Sequence, residues 1–185
     1  MLFDLLGDGE AATFFSRMGT AAYAERESGH TGNFFNVLWA MPGVSRCGPL
    51  AAGACIKETD WYYELARGWD GRFVYQEVPG DSGSHGGWDC TGAFLLAYAV
   101  PFRRTIVTGR KPPSVPALSP EKVAETIAAG RDFTFWTEKT CHERRSTEDL
   151  FKGLSSWSPA VRKRSAQPYH WAYLLVGLKP SLFGS

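Results

Sequence analysis

Gly29-His30-Thr31-Gly32-Asn33-Phe34-Phe35 and Asp89-Cys90-Thr91-Gly92-Ala93-Phe94-Leu95 carry the same Thr-Gly-x-Phe-apolar run, 60 residues apart. Each run opens a helix-spaced segment that closes on aromatic-Ala-apolar-Pro. The closing residues are Trp39-Ala40-Met41-Pro42 in the first copy and Tyr98-Ala99-Val100-Pro101 in the second, which is one residue shorter. Between the copies, Pro49 suits the first position of a further helix through Ala52, Cys55, Ile56, Trp61, Tyr62 and Leu65. Gly68-Trp69-Asp70-Gly71 then makes a turn, Phe73-Val74-Tyr75 a short extended piece, and Gly80 to Gly87 a loop. Helix, helix, glycine-rich turn and the same helix again is the pattern of a helical array, in which each hairpin buries its face on the next.

Upstream of the first copy, Ala11, Phe14, Phe15, Met18, Ala21, Ala22 and Tyr23 fall near one stripe of a helix expected from Glu10 to Glu27, stopped by Gly29. The helix of Phe34, Phe35, Leu38 and Trp39 is expected to end at Pro42-Gly43. A strongly apolar helix is expected from about Cys90 to Val100, ended by Pro101. No sustained alternation of period two competes, so residues 1–110 are predicted to be mainly α.

Downstream, Lys111 to Pro120 carries four prolines and reads as an extended linker. Composition shifts across it: 16 of the 20 glycines precede residue 111. Charge shifts too, from 9 Lys/Arg against 12 Asp/Glu before it (net −3) to 11 against 7 after it (net +4). Ser119-Pro120-Glu121 is a helix start, with Val123, Ile127 and Ala128 expected to face inward. Ser146 or Thr147 starts another helix, and Ser158-Pro159 a third over Ala160 to Gln167. The tail after Pro168 is apolar but aperiodic and receives no element. The expected organisation is therefore 1–110, a linker at 111–120, and a helical segment at 121–185.

The whole chain of 185 residues has a net charge of +1, so no global field draws it to a polyanion. Arg144-Arg145 and Arg162-Lys163-Arg164 form a basic patch without interleaved aromatics; it reads as a solvated helix face, and no nucleic-acid partner is expected. No signal-peptide pattern opens the chain, no apolar run is long enough to span a membrane, and the compartment stays open. Four irregularly spaced cysteines, Cys47, Cys55, Cys90 and Cys141, make no disulfide framework. Seven Trp, beside 12 Phe and seven Tyr, point either to a cavity lined with rings or to helices packed very closely.

The run Leu65-Ala66-Arg67-Gly68-Trp69-Asp70-Gly71-Arg72-Phe73, with a Gly-Gly-Trp before the next helix, resembles the α/α-toroid repeats of terpenoid cyclases and protein prenyltransferases. The stretches Gly29–Pro49 and Gly87–Pro101 resemble more closely an uncharacterised bacterial domain-of-unknown-function family, often found beside a PDZ domain in long multidomain chains. The resemblance implies an all-α fold, a partial α/α-toroid of helical hairpins over 1–110, and no established activity. A complete toroid needs more helices than the four or five predicted there, so the chain is expected to be a piece of a longer protein or an open arc. Other domains of a longer chain, a small molecule or a glycan are the partners this implies. Leu150 to Gln167 is similar to one HEAT-type hairpin, departing from that pattern at Pro168.

Alignment of the two copies puts His30 and Cys90 at equivalent helix starts, with Asp89 beside Cys90. A helix N-terminus lowers a thiol pKa, so Cys90 with His30 is a candidate nucleophile pair. His30, Asp89 and Cys90 together are also a donor set for Zn²⁺ with an open fourth position. Prenyltransferase-type toroids hold zinc with such a trio, although here the Asp and Cys are adjacent, which departs from their spacing. The plain alternative is that Asp89 caps the helix, Cys90 packs as a small hydrophobe and His30 bonds a loop carbonyl. A second set, His30, Asn33, Asn36, Tyr62, Tyr63 and Arg67, resembles the polar residues with which toroid polysaccharide lyases act on uronates. Trp39, Trp61, Trp69 and Trp88 are either stacking platforms for a sugar or isoprenoid, or core and turn anchors. His85 in the glycine loop and Cys141-His142-Glu143 read as solvated loops.

Overall fold

The computed structural model describes residues 1–23, 33–75, 87–99, 115–131 and 145–176. Among these the protein is all-α, with eight α-helices and no strand beyond two isolated β-bridges. The residues divide into two compact units, Met1–Arg131 and Asp132–Ser185.

In the first unit, α1 (Leu2–Leu6) precedes α2 (Gly9–Ala21), whose start is capped by Asp8 accepting the Ala11 N–H at 2.9 Å. The expected helix to Glu27 closes at Ala21 instead. Ala22 N–H turns back to Gly19 O, and Tyr23 leaves the helix to bury its ring and donate its hydroxyl to Ile127 O at 2.9 Å. Residues 24–27 lie outside the described set.

α3 (Asn33–Val44) runs through Pro42, where the sequence predicts an end. Proline removes one backbone donor, and here only the last turn is affected. The burial of Met41 and Val44 holds that turn in place, while the Pro42 carbonyl accepts the Ser45 hydroxyl at 2.8 Å. A short 3₁₀ turn (Ser45–Cys47) leads to α4 (Pro49–Ala66), with Pro49 in its first turn as expected. Arg46 from the 3₁₀ turn reaches Asp4 of α1 at 3.4 Å, and both side chains are largely buried.

α5 (Thr91–Ala99) packs on α3, and α4 packs beside both the 3₁₀ turn and α6 (Pro120–Arg131). The core gathers Tyr62, Tyr63 and Ala66 of α4, Ala93, Phe94 and Ala97 of α5, Phe73 and Tyr75 of the connection, and Val123 and Ile127 of α6.

The position of α6 moves the expected boundary at 111–120. Val115 is buried, Leu118 donates its N–H to Cys47 O at 2.9 Å, and α6 packs on α2 and α4. The first compact unit therefore continues to Arg131. Arg17 of α2 donates to Thr126 at 3.1 Å and pairs with Glu125 at 3.2 Å; Arg131 pairs with Glu58 of α4. Val123 and Ile127 face inward as expected, whereas Ala128 is exposed and Thr126, Ala129 and Gly130 are buried. A Cβ on Gly130 would collide with the Ala21 carbonyl oxygen and the Tyr23 ring, so the close approach of α2 and α6 requires glycine.

In the second unit, Ser146 caps α7 (Thr147–Leu154) by accepting the Asp149 N–H at 3.1 Å, as its position predicts. α8 starts at Pro159 and runs through Pro168 to Val176, past the expected end at Gln167. α7 and α8 pack together through buried Leu150 and Val161, crossing where Gly153 meets the Ser165 side chain.

Candidate functional site

The expected site is built where α4 ends and α5 begins. Gly68-Trp69-Asp70-Gly71 turns as predicted: Gly71 N–H donates to Gly68 O at 3.0 Å, and Asp70 receives both the Arg72 N–H and its guanidinium. The extended piece forms two antiparallel bridges, Arg67 with Phe73 and Val74 with Asp89. Cys90 N–H donates to Phe73 O at 2.7 Å, and Phe73 N–H to the Thr91 hydroxyl at 3.0 Å. These bonds pin the start of α5 to the end of α4.

Asp89 Oδ1 accepts the Thr91 N–H at 2.9 Å, and the Cys90 carbonyl accepts the first helical bond, from Phe94. Hydrogen bonds from the Thr91 side chain and backbone, helped by the Arg72 charge, hold the exposed Asp89 carboxyl below the usual carboxylate range. Cys90 is 1% exposed, with its thiol directed to Trp88 O at 3.5 Å. Burial, reinforced by the Asp89 charge, pushes that thiol up to about 11. The helix start was expected to lower it. Desolvation outweighs the helix dipole because the thiol faces the core and not the solvent at the helix mouth.

His30 lies outside the described residues, as do His85 and Cys141-His142-Glu143. Asn33 and Asn36 lie on α3, their side chains outside the described set. Among the described residues, no three His, Cys, Asp or Glu side chains form a group that could hold a metal ion.

The aromatic candidates separate into two classes. Tyr62 and Tyr63 are core residues: Phe94 is surrounded by Tyr62, Tyr63 and Phe73 at centroid distances of 5.9, 5.1 and 5.4 Å. Tyr62 was expected to line a ligand cavity and instead fills this cluster, because the α4 face that carries it also carries Cys55, Thr59 and Ala66. The tryptophans are not core anchors: Trp39 is 62% exposed, Trp61 52%, Trp69 100% and Trp88 46%. Arg67, beside Trp69 in sequence, lies over the Phe73 ring and pairs with Glu64.

Sequence reasoning missed a groove of about 690 Å³ between α4 and α6, lined by Pro49, Leu50, Gly53 and Ala54 on one side and Val123, Ala124 and Ile127 on the other. Its signal was present in α4: the small pair Gly53-Ala54 lies one turn after Leu50, where a large side chain would have filled the groove. The buried Asp4–Arg46 pair had no signal, since its partners are far apart in sequence and carry no local pattern.

No helix among the described residues is long and apolar enough to cross a membrane. No curated protein and no solved structure shows a significant match to the chain. One family model does match, described as "Domain of unknown function (DUF6288)", over residues 1–109. That span holds α3, α4, the turn at Trp69 and the capped start of α5, and it is more than half of the 185 residues; the chain belongs to the DUF6288 family.

Proposed function

We propose that this protein is a binding module: its first unit is an open arc of an α/α-toroid that presents an aromatic-lined surface to another domain or to a ligand, and its second unit carries a HEAT-like hairpin. The observation that carries this reading is the exposure of four tryptophans around a well-packed core. Leaving large apolar rings in water costs about 25 cal/mol for each Å² that a partner would otherwise cover, so such residues favour interaction surfaces. The burial of Cys90, with its thiol held protonated at neutral pH, favours a structural role for it over a nucleophilic one. The reading of a toroid arc rests on α4 and α6 running side by side in one direction. Gly48 and Ala117 meet at one end, and Glu58 and Arg131 at the other.

The test is site-specific photo-crosslinking in the producing cell, with a photoreactive phenylalanine at Trp69 or Trp88 and a control at exposed Glu148. Discrete adducts at the tryptophan positions, absent at 148, are expected. No adduct at either tryptophan would remove the reading.

A further inference from the structure

α1 is built inside out. Asp4 is the one buried residue of its five, while Leu2 and Leu6 stand 63% and 70% exposed. A helix this short has no stability of its own, so contacts with the rest of the unit hold it. Phe3 stacks on Phe15 at 4.9 Å, but Phe15 is itself half exposed. What reaches inward is the Asp4 carboxylate, 3.4 Å from the Arg46 guanidinium. That pair is long beside the roughly 2.7–2.9 Å of a well-made charged hydrogen bond. Arg46 Nε is buried with no hydrogen-bond partner among the described residues. An ion pair held out of water contributes little net stability, because both charges regain hydration when it opens.

α2 does not need α1 for its start. Asp8 caps it by accepting the Ala11 N–H at 2.9 Å, and that bond survives if α1 leaves. Asp8 lies between two glycines, Gly7 at φ 78° and Gly9, and a Cβ on either would meet nothing within 4 Å. From this we infer that α1 is a strap with the Asp4–Arg46 pair as its catch. It lifts about Gly7 and Gly9 while the remainder of the unit stays folded. Closed, it shields the Arg46 guanidinium; open, it presents that cation and the Phe15 ring to solvent.

Hydrogen exchange and phenylglyoxal labelling of Arg46, both read by mass spectrometry on the full chain at neutral pH, test this. The Leu5, Gly7 and Asp8 amides, bonded to the Met1, Asp4 and Phe3 carbonyls, should exchange at least about tenfold faster than those within α2. Asp4→Asn leaves Arg46 without its counter-charge, so it should speed that exchange and the labelling together by about tenfold or more, with α2 and α4 unchanged. Replacing both partners, Asp4→Leu with Arg46→Met, should slow exchange at the same amides, which simple fraying of a chain end would not show. Exchange in α1 as slow as in α2, or Asp4→Asn behaving as wild type in both readouts, overturns the inference. So does an Asp4→Asn chain whose α4 amides exchange freely, since the strap would then not move independently, and so does a paired replacement that leaves the α1 exchange as it was.

Discussion

Replacing Gly130 by alanine sets two opposing effects against each other. Gly130 is the last but one residue of α6, where Gly→Ala favours the variant by up to about 1 kcal/mol through backbone entropy. Against this, the new methyl would overlap the Ala21 carbonyl oxygen and the Tyr23 ring. The carbonyl is backbone and cannot turn aside. The ring is tethered through its hydroxyl to Ile127 O, a hydrogen bond worth about 0.5–1.5 kcal/mol. Forcing α2 and α6 apart at a packed crossing costs about 1–3 kcal/mol and also loosens the Arg17 contacts to Thr126 and Glu125. The collision wins, and the net expectation is destabilisation by about 1–2 kcal/mol, a fall in Tm of roughly 2–8 °C for a chain of this size. Urea unfolding followed by far-UV circular dichroism measures it. Gly92→Ala in α5, where a Cβ meets nothing within 4 Å, is the control and should be neutral or slightly stabilising. A Gly130→Ala chain as stable as wild type would show that α6 does not pack closely on α2, and would return residues 121–131 to the second region, where the proline-rich stretch first placed them.

Phe94→Ala should cost about 3–5 kcal/mol because the ring is fully buried among Tyr62, Tyr63 and Phe73, whereas Trp69→Ala should change stability by less than about 0.5 kcal/mol; equal losses in chemical denaturation would contradict this division of the aromatics. Burial pushes the Cys55 thiol up to about 12 and the Cys90 thiol up to about 11, so the folded chain keeps protons that the unfolded chain releases above its ordinary thiol pKa. Stability should be flat through neutral pH and fall as pH rises from about 9 towards 11, and an unchanged urea midpoint across that window would refute it. Since Asp89 serves as a cap and Cys90 faces the core, purified chain should carry well under about 0.1 equivalent of zinc, unchanged in Cys90→Ala. Elemental analysis showing one equivalent that disappears in the variant would restore the trio of His30, Asp89 and Cys90.

Helix starts were legible because they are local chemistry. Pro49, Ser146 and Ser158-Pro159 each do at the backbone what their type and position predict. Helix ends were less so: Pro42 and Pro168 are passed through, because tertiary burial of residues such as Met41 and Val44 outweighs one missing donor. The site was legible as a set of residues but not as an environment. The same rule that puts Cys90 at a helix mouth says nothing about whether its thiol looks outward or inward, and the inward choice reverses its chemistry. The docking of α6 could not be read at all, since it depends on Tyr23, Arg17 and Glu58 meeting residues that lie up to 109 positions away in the chain.

The segment shared with the DUF6288 family ends at residue 109, yet the Tyr23 hydroxyl and the Arg17 Nε within it donate to α6, which lies beyond that limit. What recurs between relatives and what folds as a unit are thus different lengths of polypeptide here. A truncation at the family boundary would strip α2 and α4 of their neighbour, exposing Tyr23 and the wall of the groove, and would be expected to come out of the cell as aggregate. In relatives that carry the 1–109 region, substitutions at 17, 23 and 58 are then expected to vary in step with whatever helix plays the part of α6, so that the brace can be traced by its correlated changes even where its own sequence has drifted past recognition.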